Sequence, residues 1–117
     1  MDVTAAVEAL GALAQPTRLA VFRLLVQKGP GGLPAGVVAE RLDVPQATLS
    51  FHLAQLSRAG LVTSRREGRS IVYAADYRGM SELMRFLTEN CCAGDAAGAT
   101  ARRGRRRRGG VTSEVSR

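Results

Sequence analysis

The sequence of 117 residues predicts a mainly α fold with one small β-hairpin (α+β), and three adjacent stretches carry that expectation. In QATLSFHLAQLSR, opened by Pro45 and closed by Gly60, Leu49, Leu53 and Leu56 recur at i, i+4 and i+7, the spacing of a helix that buries one face. Just before it, residues 34–42 hold a shorter helical pattern joined to the longer one by Asp43-Val44-Pro45 alone, and two helices linked so tightly form a helix-turn-helix. Just after it, residues 61–66 and 70–74 are two β-capable runs around Glu67-Gly68-Arg69, a glycine turn flanked by arginines. Two helices, a short turn between them and a basic hairpin behind them make a winged helix-turn-helix.

Taken in chain order, residues 3–13 form an alanine-rich helix with Val7, Leu10 and Leu13 on one side. Gln15-Pro16-Thr17 opens a second helix whose inward stripe is Leu19, Phe22, Leu25 and Val26, and Gly29-Pro30-Gly31-Gly32 stops it. The third helix turns Val37, Val38 and Leu42 inward. Behind the hairpin, a last helix over 76–90 repeats Met80, Leu83, Met84 and Leu87, with Phe86 beside them. So small a winged unit cannot bury the apolar sides of both its first and last helices. Their surplus predicts a homodimer that pairs through those two helices and sets its reading helices about one DNA turn, roughly 34 Å, apart on a palindromic operator.

The outward face of the long helix decides what it can touch. At about 100° per residue, Ala47, Phe51, Ala54 and Arg58 point away from the leucines, flanked by Thr48, Ser50 and Gln55, with Gln46 in the first turn. This face carries no acid. Hydroxyls donate or accept, a glutamine amide pairs with adenine, and an apolar ring meets a thymine methyl. Gln46, Ala47, Thr48, Ser50, Phe51 and Gln55 are therefore the expected base-reading residues, and Arg65, Arg66 and Arg69 of the hairpin are expected at phosphates or in the minor groove. The competing reading packs Phe51 on a neighbouring helix and leaves the arginines solvated. His52 lies on the flank nearer the leucines, which favours a structural hydrogen bond or a phosphate contact over a base contact. Arg18 reads as an ion-pair partner.

Charge divides unevenly. Residues 1–92 hold ten basic and eight acidic groups, a net of +2, whereas 93–117 hold seven basic and two acidic, a net of +5. The first range is expected to be the DNA-binding and dimerisation domain. The second, rich in glycine, alanine and arginine, is expected to be a disordered basic tail that adds salt-dependent phosphate affinity or only solubility. No apolar run is long enough to span a membrane and the N-terminus has no basic segment ahead of an apolar one, so a cytoplasmic protein is expected. No nucleophile has a candidate base near it and no glycine loop precedes a lysine, so no enzyme is expected. Adjacent Cys91 and Cys92 cannot staple distant parts of a fold. They are free thiols, either a continuation of the apolar stripe from Leu87 or a pair of soft ligands.

The segments LAQPTRLAVFRLL and VVAERLDVPQATLSFHLAQLSRAGLVTSRREGRSIVYAAD, with the ENCC ending of the last helix, resemble the ArsR/SmtB family of metal-responsive repressors, the arsenic-responsive members above all, over about residues 5–92. The resemblance implies a dimeric repressor without a permanent cofactor that leaves double-stranded operator DNA when trivalent arsenic or antimony binds. The metalloid ligands it implies here are Cys91 and Cys92. Many such relatives carry cysteines in the third helix, which here reads GVVAERL and has none. The zinc, nickel and cobalt sensors use several histidines and carboxylates on the last helix, and this chain has only His52. Two sulfurs fill two of three positions around a soft pyramidal centre. The third falls to a cellular thiol, to hydroxide, or to the carbon of an organoarsenical such as methylarsenite; alternatively, pairs from two subunits cluster. Neighbouring side chains on a continuous helix diverge by about 100°, so the pair also requires the helix to end there, as Asn90 and Gly94 suggest. Two other readings stay open: a thiol-redox-responsive repressor, and a winged-helix interaction module that never binds DNA.

Overall fold

The computed structural model describes residues 1–95, and these divide into two units, Met1–Leu87 and a second that begins at Thr88. Most of the expected basic tail, residues 96–117, lies outside the described residues. The order of elements is α1 (Val3–Leu13), α2 (Pro16–Lys28), β1 (Leu33–Pro34), α3 (Ala35–Leu42), α4 (Gln46–Arg58), β2 (Val62–Glu67), β3 (Ser70–Ala75) and α5 (Tyr77–Thr88), followed by a short 3-10 turn at Ala93–Asp95. Among the described residues no single helix is long and apolar enough to cross a membrane.

Local chemistry fixes the helix ends. Asp2 caps α1 by accepting from Ala5 N–H at 2.8 Å, and Gln15 caps α2 by accepting from Arg18 N–H at 2.7 Å, with Pro16 in its first turn. Asp43, left-handed at φ 55°, ends α3 while Val44 N–H returns to Ala39 O at 3.0 Å. Gly60, left-handed at φ 78°, ends α4 in the same way, with Leu61 N–H on Leu56 O at 3.0 Å. Each is a left-handed cap with a backward hydrogen bond spanning five residues, which is how the short turn between α3 and α4 is made.

The hairpin pairs Val62↔Ala75 through Glu67↔Ser70, so its loop is only Gly68-Arg69, with Gly68 at φ 63°. β1 adds a third strand, Leu33↔Tyr73 and Pro34↔Val72, giving the order β1-β3-β2. A strand of two residues, one of them proline, carries no periodicity to read. Gly32 makes the approach possible, since a Cβ there would strike the Tyr73 carbonyl oxygen.

The core gathers Val21, Phe22 and Leu25 from α2, Val38 from α3, Leu49, Leu53 and Leu56 from α4, and Leu61 and Val62 at the hairpin base. One inward stripe differs from expectation, and the apolar side of α1 is left largely uncovered, as expected of so small a unit. In α2, Val21 is buried and Leu19 faces out. In α1 the buried side chains are Ala6 and Ala9, while Val3, Val7 and Leu10 are exposed. Alanine lets α1, which meets α2 at 99°, press its backbone close, and the larger residues are left on the far side. The same holds at the other end. In α5 Leu83 is buried, Met80 and Phe86 are partly buried, and Met84 and Leu87 are exposed. α5 ends at Thr88, two residues short of the expected end.

Gly79 fixes how α5 starts. A Cβ on it would collide with the Gly60 carbonyl oxygen, so the first turn of α5 lies directly on the turn that ends α4. Asp76 ties the same joint: its N–H donates to Leu61 O at 2.8 Å and its carboxylate accepts from Gly79 N–H at 3.0 Å. Tyr77 Oη donates to Val26 O at 2.9 Å and anchors the helix to α2.

Candidate nucleic-acid interface and thiol pair

α4 buries Leu49, His52, Leu53 and Leu56 and leaves Gln46, Ala47, Thr48, Ser50 and Phe51 exposed; Gln55 is half-buried. Phe51 is 59% exposed, so it packs under no neighbouring helix of this chain. Its ring stands edge-on to His52, centroids 5.9 Å apart at 64°. Gln46 is turned back: its Nε2 would be 3.1 Å from a Cβ on Gly36, so the bare glycine lets this amide lie across the first turn of α3.

His52 is the buried polar side chain of the interface helix. Arg18 Nη1 approaches its Nδ1 at 3.4 Å, and Arg18 Nε donates to Ala12 O at 2.6 Å. Arg18 is thus no ion-pair partner among the described residues; it satisfies a carbonyl at the end of α1 and braces the reading helix. Burial and then the Arg18 guanidinium push the imidazole below its ordinary pKa, which favours the neutral ring, whose Nδ1 accepts from Arg18 in the tautomer protonated at Nε2. The sequence held a clue in the single histidine on the inward flank, but no local pattern pointed to Arg18, 34 residues away.

The three hairpin arginines differ. Arg65 Nε pairs with Glu67 Oε2 at 2.6 Å, and Arg65 Nη2 donates to Gly31 O at 2.8 Å. Arg65 therefore ties the wing to the loop after α2. Arg66 and Arg69 are exposed, and their side chains make no hydrogen bond or ion pair among the described residues, where neither guanidinium is held by another group.

The second unit holds the thiols. Asn90 and Cys92 take left-handed φ values of 59° and 65°, Cys91 N–H donates to Thr88 O at 3.0 Å, and Ala93 N–H donates to Asn90 O at 2.9 Å. This chain of turns replaces the helix and brings Sγ of Cys91 and Cys92 to 3.6 Å, both exposed. A disulfide would need about 2.05 Å, so these are two thiols in contact. The hydrogen bond shared with Cys92, then the Cys92 charge and a little burial, push Cys91 above its ordinary pKa. Among the described residues no group of three His, Cys, Asp or Glu side chains is placed to hold a metal. The pair offers two soft donors and leaves any further position to another molecule.

A family model described as a helix-turn-helix domain matches residues 13–65. Over 85 residues the chain is 34% identical to an uncharacterized HTH-type transcriptional regulator, MJ1325, of Methanocaldococcus jannaschii, spanning 72% of this chain and 92% of that one. It is 35% identical to the transcriptional activator HlyU of Vibrio cholerae, over 70% of this chain and 76% of HlyU. An ArsR-like transcriptional regulator from Rhodococcus sp. RHA1 superposes with a TM-score of 0.70 at 28% identity, covering 84% of this chain and 90% of that one. The chain belongs to the ArsR family of winged helix-turn-helix transcriptional regulators. Another solved structure, a possible transcriptional regulator for arsenical resistance, is 30% identical with a TM-score of 0.61, over 80% of this chain and 95% of that one. As an ArsR-family regulator, the chain has in α3–α4 and the β2–β3 wing the elements that dock on duplex DNA.

Proposed function

We propose that this ArsR-family chain is a homodimeric repressor that holds a palindromic operator and releases it when trivalent arsenic, as arsenite or methylarsenite, or antimonite binds Cys91 and Cys92. The observation that carries the reading is the contact between two exposed sulfurs at 3.6 Å, reached by a turn that places soft donors side by side. Gln46, Ala47, Thr48, Ser50, Phe51 and Gln55 are the proposed base-reading set, with Arg65, Arg66 and Arg69 on the backbone or minor groove. Exposed Val3, Val7 and Leu10 on α1 and Leu87 on α5 supply apolar surface for a two-fold partner. Metalloid capture links the two thiols into one rigid loop directly after α5 in the chain. A coupling of about 1–3 kcal/mol between that event and DNA affinity, a factor of roughly 5–150, is enough to free an operator.

The test is titration of the reduced protein on its own promoter fragment with arsenite, methylarsenite, antimonite and zinc at fixed salt. Release by the arsenicals and antimonite, with zinc inert, supports the reading; release by zinc alone overturns it.

Exposed thiols in contact also support a second reading, a redox-responsive regulator that forms a disulfide between the neighbours. The raised pKa of Cys91 slows both responses, because the thiolate is the form that reacts with an oxidant and the form that binds a soft metalloid. A peroxide arm in the same titration separates the two.

A further inference from the structure

A groove of about 260 Å³ between α2 and α3 is lined by Leu24, Gln27, Lys28 and Arg41. Two of its four side chains are cations, the third is an amide, and none is an acid. Lys28 and Arg41 are exposed, and their side chains make no ion pair or hydrogen bond among the described residues. The nearest acid in sequence is Glu40, which precedes Arg41 by one residue on α3 and is absent from the lining.

The groove lies beside the glycine loop that holds the wing. Lys28 Nζ lies 3.9 Å from where a Cβ on Gly31 would sit, and the Gly31 carbonyl holds Arg65 Nη2 at 2.8 Å. The ammonium of the groove and the first arginine of the wing therefore meet on one glycine loop. Glu67 already neutralises Arg65 at 2.6 Å, so the uncompensated charge here belongs to Lys28 and Arg41.

We infer that the Lys28–Arg41 groove is a binding site for one phosphate of the duplex backbone, outside the stretch that α4 and the wing tip engage. Resting on the proposed DNA-binding reading, it adds a contact neither the helix nor the hairpin supplies. α3 is the helix of the motif that crosses the backbone, and Arg41 stands on it. An ammonium and a guanidinium converging with an amide suit a phosphate, which offers acceptors in several directions. Such a contact fixes position and affinity without reading sequence.

The experiment compares wild type with Lys28→Gln/Arg41→Gln and each single substitution, measuring affinity from about 50 to 200 mM salt on the operator fragment and on an unrelated duplex of equal length. The homodimer carries this groove twice, so losing two phosphate contacts lowers the slope of log K against log salt by about 1.8 in the double variant, on both duplexes alike. Both side chains are on the surface, and an unchanged melting temperature shows that the fold is kept. An unchanged slope in the folded double variant overturns the inference, as does a loss confined to the operator. A wild type with no preference between the duplexes defeats the operator reading instead, while the slope on either duplex still tests the groove. Tighter binding of an acidic peptide than of either duplex, abolished in the double variant, assigns the groove to a protein partner and overturns the phosphate assignment.

Discussion

Replacing Gly79 by alanine should unfold the domain early, and the structure sets the scale. The added methyl would collide with the Gly60 carbonyl oxygen and lie 3.2 Å from its carbon, and both belong to backbone that cannot rotate aside. Forcing an extra methyl into a packed site costs about 1–3 kcal/mol, with contact against fixed backbone at the upper end, about 2–3, and the better helix propensity of alanine returns about 1 kcal/mol in the first turn of α5. The net is a loss of about 1–2 kcal/mol, or roughly 4–16 °C in melting temperature for a domain of this size. Gly11→Ala is the matching control. It lies within α1, has nothing within 4 Å of where the new methyl would sit, and should gain about 0.5–1 kcal/mol. Thermal unfolding by circular dichroism, at one fixed protein concentration because dimerisation raises the melting point, reads both. A Gly79→Ala protein as stable as wild type would refute the backbone-on-backbone joint between α4 and α5.

Other outcomes follow from the same geometry. Phe51→Ala should weaken operator binding and erase the effect of replacing one thymine by uracil; in wild type that lost methyl costs about 0.8 kcal/mol, near 4-fold in Kd, and an equal uracil penalty in both proteins would remove Phe51 from base reading. His52 has its pKa lowered by burial and by Arg18, so below about pH 6.5 the unfolded chain binds a proton that the folded one resists. Stability should therefore be flat just above that pH and fall as the pH drops below it, and urea midpoints for wild type and His52→Gln should diverge there; parallel curves would contradict the brace. Val7→Glu with Leu87→Glu puts charge on side chains now 60% and 56% exposed, so the fold should survive while sedimentation shows a monomer and operator affinity falls.

Much of this was legible in the residues. Leu49, Leu53 and Leu56 announce α4 because a helix buried along one stripe repeats every three to four residues, and all three are buried. Gly60 and Asp43 mark stops that the backbone realises in left-handed caps. Sequence periodicity could not choose which stripe of α1 faces in, because the answer depends on how closely α2 approaches, and small Ala6 and Ala9 won over Val7 and Leu10. β1 and the Arg18–His52 brace escaped for another reason: both are contacts between residues far apart in the chain, with no repeat to betray them. At the candidate site, the outward residues of α4 fall where the helix wheel puts them. The thiol contact depended on left-handed turns at Asn90 and Cys92, which composition only hints at.

The most direct test of the central claim pairs wild type with Cys91→Ser/Cys92→Ser on a fluorescent operator, with arsenite or methylarsenite added at fixed salt. Both proteins should bind the operator equally well beforehand, and only wild type should let go. Release of the doubly substituted protein at the same arsenical concentration would contradict the assignment of these sulfurs as the sensing site.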